Sequence, residues 1–225
     1  MKKIGLLVAV EMDAVLARYG SPQEKQMVDG FEVLRYENES YTVYAVNAGA
    51  GEISAAAAAQ LLISVFRVDL VVNFGVVGGL TPEMAMARTV VVESVVHYDF
   101  DISDWTGVES GRYMQYPGPY IPATPELVDK ACAIEPSLRR VICASADKFI
   151  GTEEKKRALH ERWQADICEM EAAGIVLTCA RRGVPCLLVK TVSDAITGGA
   201  EEFNRELDRS AGICLEIADR IIREL

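Results

Sequence analysis

Short apolar runs and longer amphipathic segments alternate along this chain, and the alternation predicts its architecture. Runs rich in Val and Ile recur at Ile4–Val10, Thr42–Val46, Leu70–Asn73, Val90–Val95, Val141–Ser145 and Cys186–Val189, each short enough to read as a buried strand. Helical periodicity fills intervals between them at Ile53–Phe66, Pro125–Ala133, Glu153–Trp163, Glu171–Arg181 and Phe203–Leu225. Strands separated by helices predict an α/β fold: a twisted, mostly parallel mixed sheet flanked by helices, formed by residues 1–225 as a single domain. In Phe31–Val46 two strand-like pieces flank the polar turn Glu37-Asn38-Glu39-Ser40, so a hairpin is expected at a sheet edge.

Composition narrows the partners. The formal net charge of -10 repels phosphate backbones and anionic lipid, which argues against nucleic acid and membrane surfaces. The opening Met1-Lys2-Lys3 and the run Ile4–Val10 have the flavour of a leader, but Glu11 and Asp13 break the run at once. No apolar stretch approaches the roughly 20 residues that cross a bilayer, and a cytoplasmic location is the expectation. Six widely spaced cysteines without a C-x-x-C pair, beside only two histidines, read as buried free thiols rather than a metal site. No cofactor is expected.

Ligands of α/β sheets collect where strands end, and four such places carry candidate chemistry. At Ala9-Val10-Glu11-Met12-Asp13 carboxylates open a helix, where, taken alone, a favourable meeting with the helix dipole explains them better than chemistry does. Asn47-Ala48-Gly49-Ala50-Gly51-Glu52 is a glycine-bearing turn, too sparse in glycine for a dinucleotide fingerprint. Asn73-Phe74-Gly75-Val76-Val77-Gly78-Gly79-Leu80 places glycines, Gly78 among them, after a buried strand, where a planar ligand could lie against the backbone. In the fourth place, Cys168–Ala173 and Thr191–Ala195 supply Glu171 and Asp194, and a desolvated carboxylate of this kind can serve as a general acid near neutral pH.

Taken together, Ile4-Gly5-Leu6-Leu7 with Ala9, Gly49-Ala50-Gly51, Gly75–Leu80, Asp147-Lys148-Phe149-Ile150, Glu169-Met170-Glu171-Ala172 and Val192-Ser193-Asp194 resemble the 5'-methylthioadenosine/S-adenosylhomocysteine nucleosidases. These are a branch of the purine nucleoside phosphorylase/uridine phosphorylase superfamily. The resemblance covers nearly the whole chain. It implies that Phe149 stacks on a purine while the Ile150 main chain bonds its edge. It further implies that Met170 packs under the ribose, that Glu171 receives the ribose hydroxyls, and that Asp194, supported by Ser193, protonates N7 of the base. The position matching the family's water-orienting carboxylate is Asp13, shorter than the usual glutamate, and Glu11, two positions earlier, is the rival carboxylate. The glycine-rich segment carries Val76 in place of a serine, and Lys190 stands in place of an arginine.

The implied reaction is hydrolysis of the N-glycosidic bond of a 5'-substituted adenosine to adenine and the 5'-substituted ribose, without metal. Members of that branch are commonly homodimers, and the long irregular stretch Asp99–Pro122, with Trp105, Tyr113, Tyr116 and Tyr120, is expected near the partner's pocket. Two alternatives stay open. One is a phosphate-dependent phosphorylase, disfavoured because Asn73–Gly79 offers neither arginine nor serine and Glu52 adds a repelling charge. The other is a nucleoside-binding protein that has lost water activation.

Overall fold

Ten consecutive buried residues, Leu70–Gly79, form the strand around which the rest is organised. The computed structural model describes all residues, 1–225. In chain order the elements are β1 (Lys2–Val8), α1 (Met12–Tyr19), β2 (Glu24–Val28), β3 (Phe31–Glu37), β4 (Tyr41–Asn47) and α2 (Glu52–Leu61), the last running into a π turn, Leu62–Phe66. There follow β5 (Leu70–Gly79), β6 (Thr89–His97), α3 (Ser103–Thr106), β7 (Tyr120–Pro122), α4 (Pro125–Ile134) and β8 (Arg139–Ser145). The chain finishes with α5 (Glu153–Trp163), β9 (Ile167–Glu169), α6 (Ala172–Arg182), β10 (Cys186–Asp194) and α7 (Ala200–Glu224).

β5 is covered on both faces, which is why its sequence is continuously apolar rather than alternating. It is also a branch point. Its first residues pair with β1, its length pairs with β10, and its last two residues pair with β9. Because β10 continues to β6, β6 to β8 and β8 to β9, these five strands close into a ring, from which β1, β4, β3 and β2 extend as a sheet. The β1–β4, β1–β5, β5–β10, β6–β8 and β8–β9 pairings are parallel; the antiparallel ones lie in the outer β2–β3–β4 strands, at β7, and at two seams of the ring. The expected mixed sheet and the hairpin Phe31–Asn47 are both present, but the hairpin is not at the edge: β2 pairs outside β3 and is itself the edge strand.

The glycines expected to follow a strand instead lie inside it, since β5 runs to Gly79. Each is there for close approach rather than for turning. A Cβ at Gly79 would stand 2.5 Å from the Met84 carbonyl oxygen, and one at Gly75 would stand 2.7 Å from Glu11 Oε1. Helices cover the sheet through amphipathic faces; α7 buries Ala211, Cys214, Leu215, Ala218, Ile221 and Ile222 at helical spacing. A hydrophobic core of 55 residues spans the chain from Ile4 to Ile222. No helix is long and apolar enough to cross a membrane.

Candidate active site

The register of the ring assembles the site. Gly78 pairs with Asp194 on one side and with Cys168 on the other, so the end of β10 and the β9–α6 connection meet at one glycine. Parallel β1 ends at the same edge of the sheet, which brings the start of α1 there too. Between them lies a cavity of about 260 Å³, close to the lower end of the roughly 300–1,000 Å³ typical of small-molecule pockets. Gly78, Phe149, Met170 and Glu171 all line it, as do Glu11, Val76 and Phe203.

Glu171 sits at the N-terminus of α6, is buried, and accepts the Gly51 N–H at 2.8 Å. Burial and then the Glu169 charge raise its carboxyl to about 7, against the Lys190 ammonium and the Gly51 N–H, so it titrates near neutrality. Glu169 is held differently. Burial pushes it up, but Lys190 Nζ at 3.1 Å and the Ala172 N–H at 3.0 Å outweigh burial and keep it below the usual carboxylate range. Glu52 completes the group. Its Oε1 accepts from Ser145 Oγ at 2.5 Å and its other oxygen from the Gly174 N–H, while burial and then Glu169 lift it to about 8.

Asp13 does not belong to the cavity. It is exposed on the first turn of α1 and lines a separate groove with Arg18 and Asp208. The carboxylate that turns inward from this segment is Glu11, only 5% exposed, which accepts the Val10 N–H and the Val76 N–H, each at 2.9 Å. The placement of Asp13 is therefore corrected: the chain leaves β1 before α1 has begun, and the last residue of that bend lines the cavity, whereas Asp13 has already rotated onto the outer face of the helix. The sequence leaves Glu11 as the rival carboxylate, and residue-by-residue matching of a carboxylate-rich bend does not choose between the two.

Asp194 ends β10 and is 1% exposed, behind Gly78 rather than on the cavity surface. Its Oδ1 accepts from Ser193 Oγ at 3.0 Å and its Oδ2 from Lys156 Nζ at 2.5 Å. Ile150 also lies off the cavity lining and packs against the smaller core under β6 and β8. Phe149 is 48% exposed, with its ring edge-on to Phe203 at 5.5 Å between centroids. No residue of the Asp99–Pro122 stretch lines the cavity; within it Phe100 and Tyr113 stack at 3.9 Å. A larger groove of about 570 Å³ runs between α2, α6 and that stretch; it contains no carboxylate, and its titratable side chains are Tyr113, Tyr116 and Arg181.

Sequence reasoning missed Lys156 and Phe203. Lys156 lies in the charged run Glu153-Glu154-Lys155-Lys156-Arg157, which reads as a solvated face, yet it shares a helical face with Leu159 and Trp163, and that spacing marks it as inward.

The profile of the phosphorylase superfamily matches residues 3–223. The chain belongs to the phosphorylase superfamily. Among its relatives, a 5'-methylthioadenosine/S-adenosylhomocysteine nucleosidase of Shewanella sp. (strain W3-18-1) is 29% identical over 198 residues, 85% of each chain. The corresponding nucleosidase of Hydrogenovibrio crunogenus is 29% identical over 218 residues, 93% of each. Two Helicobacter pylori structures share the fold at a TM-score of 0.93. One is a mutant futalosine hydrolase, 23% identical and covering 100% of both chains. The other is a 5'-methylthioadenosine/S-adenosylhomocysteine nucleosidase in complex with a substituted pyrrolidin-3-ol, 24% identical and covering 100% of this chain and 99% of that one.

Proposed function

We propose that this protein hydrolyses the N-glycosidic bond of a 5'-substituted adenosine, such as 5'-methylthioadenosine or S-adenosylhomocysteine, to adenine and the 5'-substituted ribose. The observation that carries the choice of water over phosphate is the cavity itself. It is lined by Glu11, Glu169 and Glu171, with no lysine or arginine, so it repels a phosphate dianion and admits a neutral nucleophile. The named nucleosidase relatives support the same chemistry.

In this reading the purine lies against Gly78, stacks on Phe149 and reaches the Ile150 main chain. Met170 packs under the ribose and Glu171 holds its hydroxyls. Asp194, oriented by Ser193, gives a proton to N7, so the base departs neutral while the sugar passes through an oxocarbenium-like state. Glu11, fixed by the Val76 N–H, takes the water-orienting role in place of Asp13. Val76 and Lys190 do not remove this arrangement: the backbone of Val76 rather than its side chain bonds Glu11, and Lys190 is engaged with Glu169.

A homodimer and a cytoplasmic location complete the proposal. The dimer is supported by the apolar side chains of Ile53, Trp105 and Met114, all more than half exposed beside α2 and along the Asp99–Pro122 stretch. The location is supported by six unbridged cysteines. The deciding assay measures adenine release from 5'-methylthioadenosine and S-adenosylhomocysteine with and without phosphate. Phosphate-independent release is expected. Release only with phosphate would identify a phosphorylase, and tight binding without turnover a nucleoside-binding protein.

A further inference from the structure

Lys156 stands in the first turn of α5 with its side chain wholly buried, and no step described so far uses it. Three oxygens surround its Nζ: Asp194 Oδ2 at 2.5 Å, the Ala195 carbonyl at 2.6 Å and the Asp194 carbonyl at 3.3 Å. An ammonium carries three N–H donors and no acceptor, so this acceptor set satisfies it completely. A Cβ added at Gly78 would stand 3.2 Å from Asp194 Oδ2 and 3.6 Å from Lys156 Cε, which places the ion pair directly behind the glycine that lines the cavity. The other titratable groups nearby are Cys168 of β9, whose thiol is pushed up by burial and by Asp194, and Glu202 of α7, which accepts the Ala195 N–H at 2.8 Å.

We propose that Lys156 is the positioning residue for base protonation: it fixes Asp194 behind Gly78 and supplies the countercharge for the carboxylate left there when the proton has gone to the base. The inference rests on Asp194 being the donor. In that step the Asp194 O–H bond breaks and the N7–H bond forms, while the electron pair of the C1'–N9 bond passes to the purine. Water oxygen then bonds to C1', and the proton it loses restores the carboxyl. The carboxylate that exists between these events lies where solvent does not reach, and a lone buried charge is costly. An ammonium at 2.5 Å removes that cost at the moment it arises.

The leaving group distinguishes this role from a structural one. Purine must be protonated to depart, whereas p-nitrophenolate leaves as a stable anion. Turnover of 5'-methylthioadenosine and of p-nitrophenyl 5-methylthioribofuranoside is compared in the wild type, Lys156→Met, Asp194→Asn and the double variant. Lys156→Met is expected to lose about tenfold or more on the purine nucleoside, a part of the roughly 10²–10⁴-fold of general-acid catalysis, and far less on the nitrophenyl riboside. The double variant is expected to be no slower on the purine than Asp194→Asn, because Lys156 acts through Asp194. Equal losses on both substrates, or a double variant slower than Asp194→Asn by more than about threefold, overturns the inference and leaves Lys156 as a fold anchor. If Lys156→Met does not fold with its carboxylate unpaired, the comparison of Asp194→Asn with the double variant, which removes both charges of the pair, decides by the same criterion. Undiminished purine turnover by Asp194→Asn would instead sink the donor assignment itself; a dead Asp194→Asn beside a Lys156→Met without leaving-group dependence sinks only the role of Lys156.

Discussion

The two walls of the cavity handle buried charge in opposite ways. Behind Gly78 one acid is matched with one cation, Asp194 with Lys156, and the two are completely hydrogen-bonded. On the wall formed by the β9–α6 connection, Glu169 and Glu171 lie beside a single buried ammonium, Lys190, which is committed to Glu169, while Glu52, off the lining, accepts the Gly174 N–H of α6. The remaining negative charge there is relieved by holding protons, and burial together with Glu169 raises Glu171 to about 7 and Glu52 to about 8. A protein can therefore tolerate a buried acid either by giving it a cation or by keeping it protonated. Only the first leaves a carboxylate compensated as soon as it forms; only the second ties occupancy to the pH of the medium.

The largest effect should come from the matched pair. Asp194→Asn is expected to lower adenine release by about 10²–10⁴-fold while nucleoside binding persists, measured by steady-state turnover beside equilibrium binding of an unreactive analogue. Near-normal turnover would erase the contrast between the walls, because neither would then donate a proton. The next largest concerns the water. Glu11→Gln is expected to reduce kcat by about a hundredfold with little change in analogue affinity, by analogy with the loss of one preorganised group. Asp13→Asn, an exposed change, should stay within about ±0.5 kcal/mol in stability and leave turnover unaltered. A result with the two variants interchanged would return the catalytic role to Asp13.

How the sequence conceals this is visible in the same residues. The Val-rich runs and the polar turn after Glu37 show the sheet and its hairpin directly, because burial on both faces leaves a continuous apolar signature. β2 is five residues of Glu, Lys, Gln, Met and Val at an exposed edge, with no such signature, and β7 and β9 are three residues each; their existence depends on partners far along the chain. Phe149, Met170, Glu171 and Gly78 were legible through family motifs and do meet in one cavity. Lys156 was not, and Glu11 was legible only as the rival of Asp13, since the direction in which a side chain leaves a bend, or a charged helix turn, is settled by packing rather than by residue type.

The acidic wall gives two smaller tests. Loss of a charge-assisted hydrogen bond costs about 1.5–3 kcal/mol, so Glu171→Gln should lower kcat/KM on ribonucleosides roughly ten- to hundredfold, and much less on analogues lacking the ribose hydroxyls. Equal losses on both would assign Glu171 to holding the Gly51 N–H alone. The smallest effect is on stability. Burial, then Glu169, gives Glu52 an affinity for its proton in the folded chain higher than the ordinary 4.5 of the unfolded one, so its contribution is full below about pH 4.5 and is lost as pH rises through about 8. The melting temperature should fall between pH 5 and pH 8, by about 2–4 °C for each kcal/mol, and Glu52→Gln should flatten that slope. A slope unchanged in Glu52→Gln would place the pH-sensitive proton elsewhere.

The closed ring of β5, β10, β6, β8 and β9 has a consequence for the chain as it is being made. β5 emerges early, with a partner ready in β1, but its long seam with Cys186–Asp194 waits until almost the entire polypeptide has left the ribosome. Contacts so distant in sequence form slowly, and until they form the apolar flank of β5 has no permanent cover. The nascent chain thus carries Glu11 and the glycines of β5 long before it carries Asp194, and the pocket becomes competent only with one of the last segments to be synthesised.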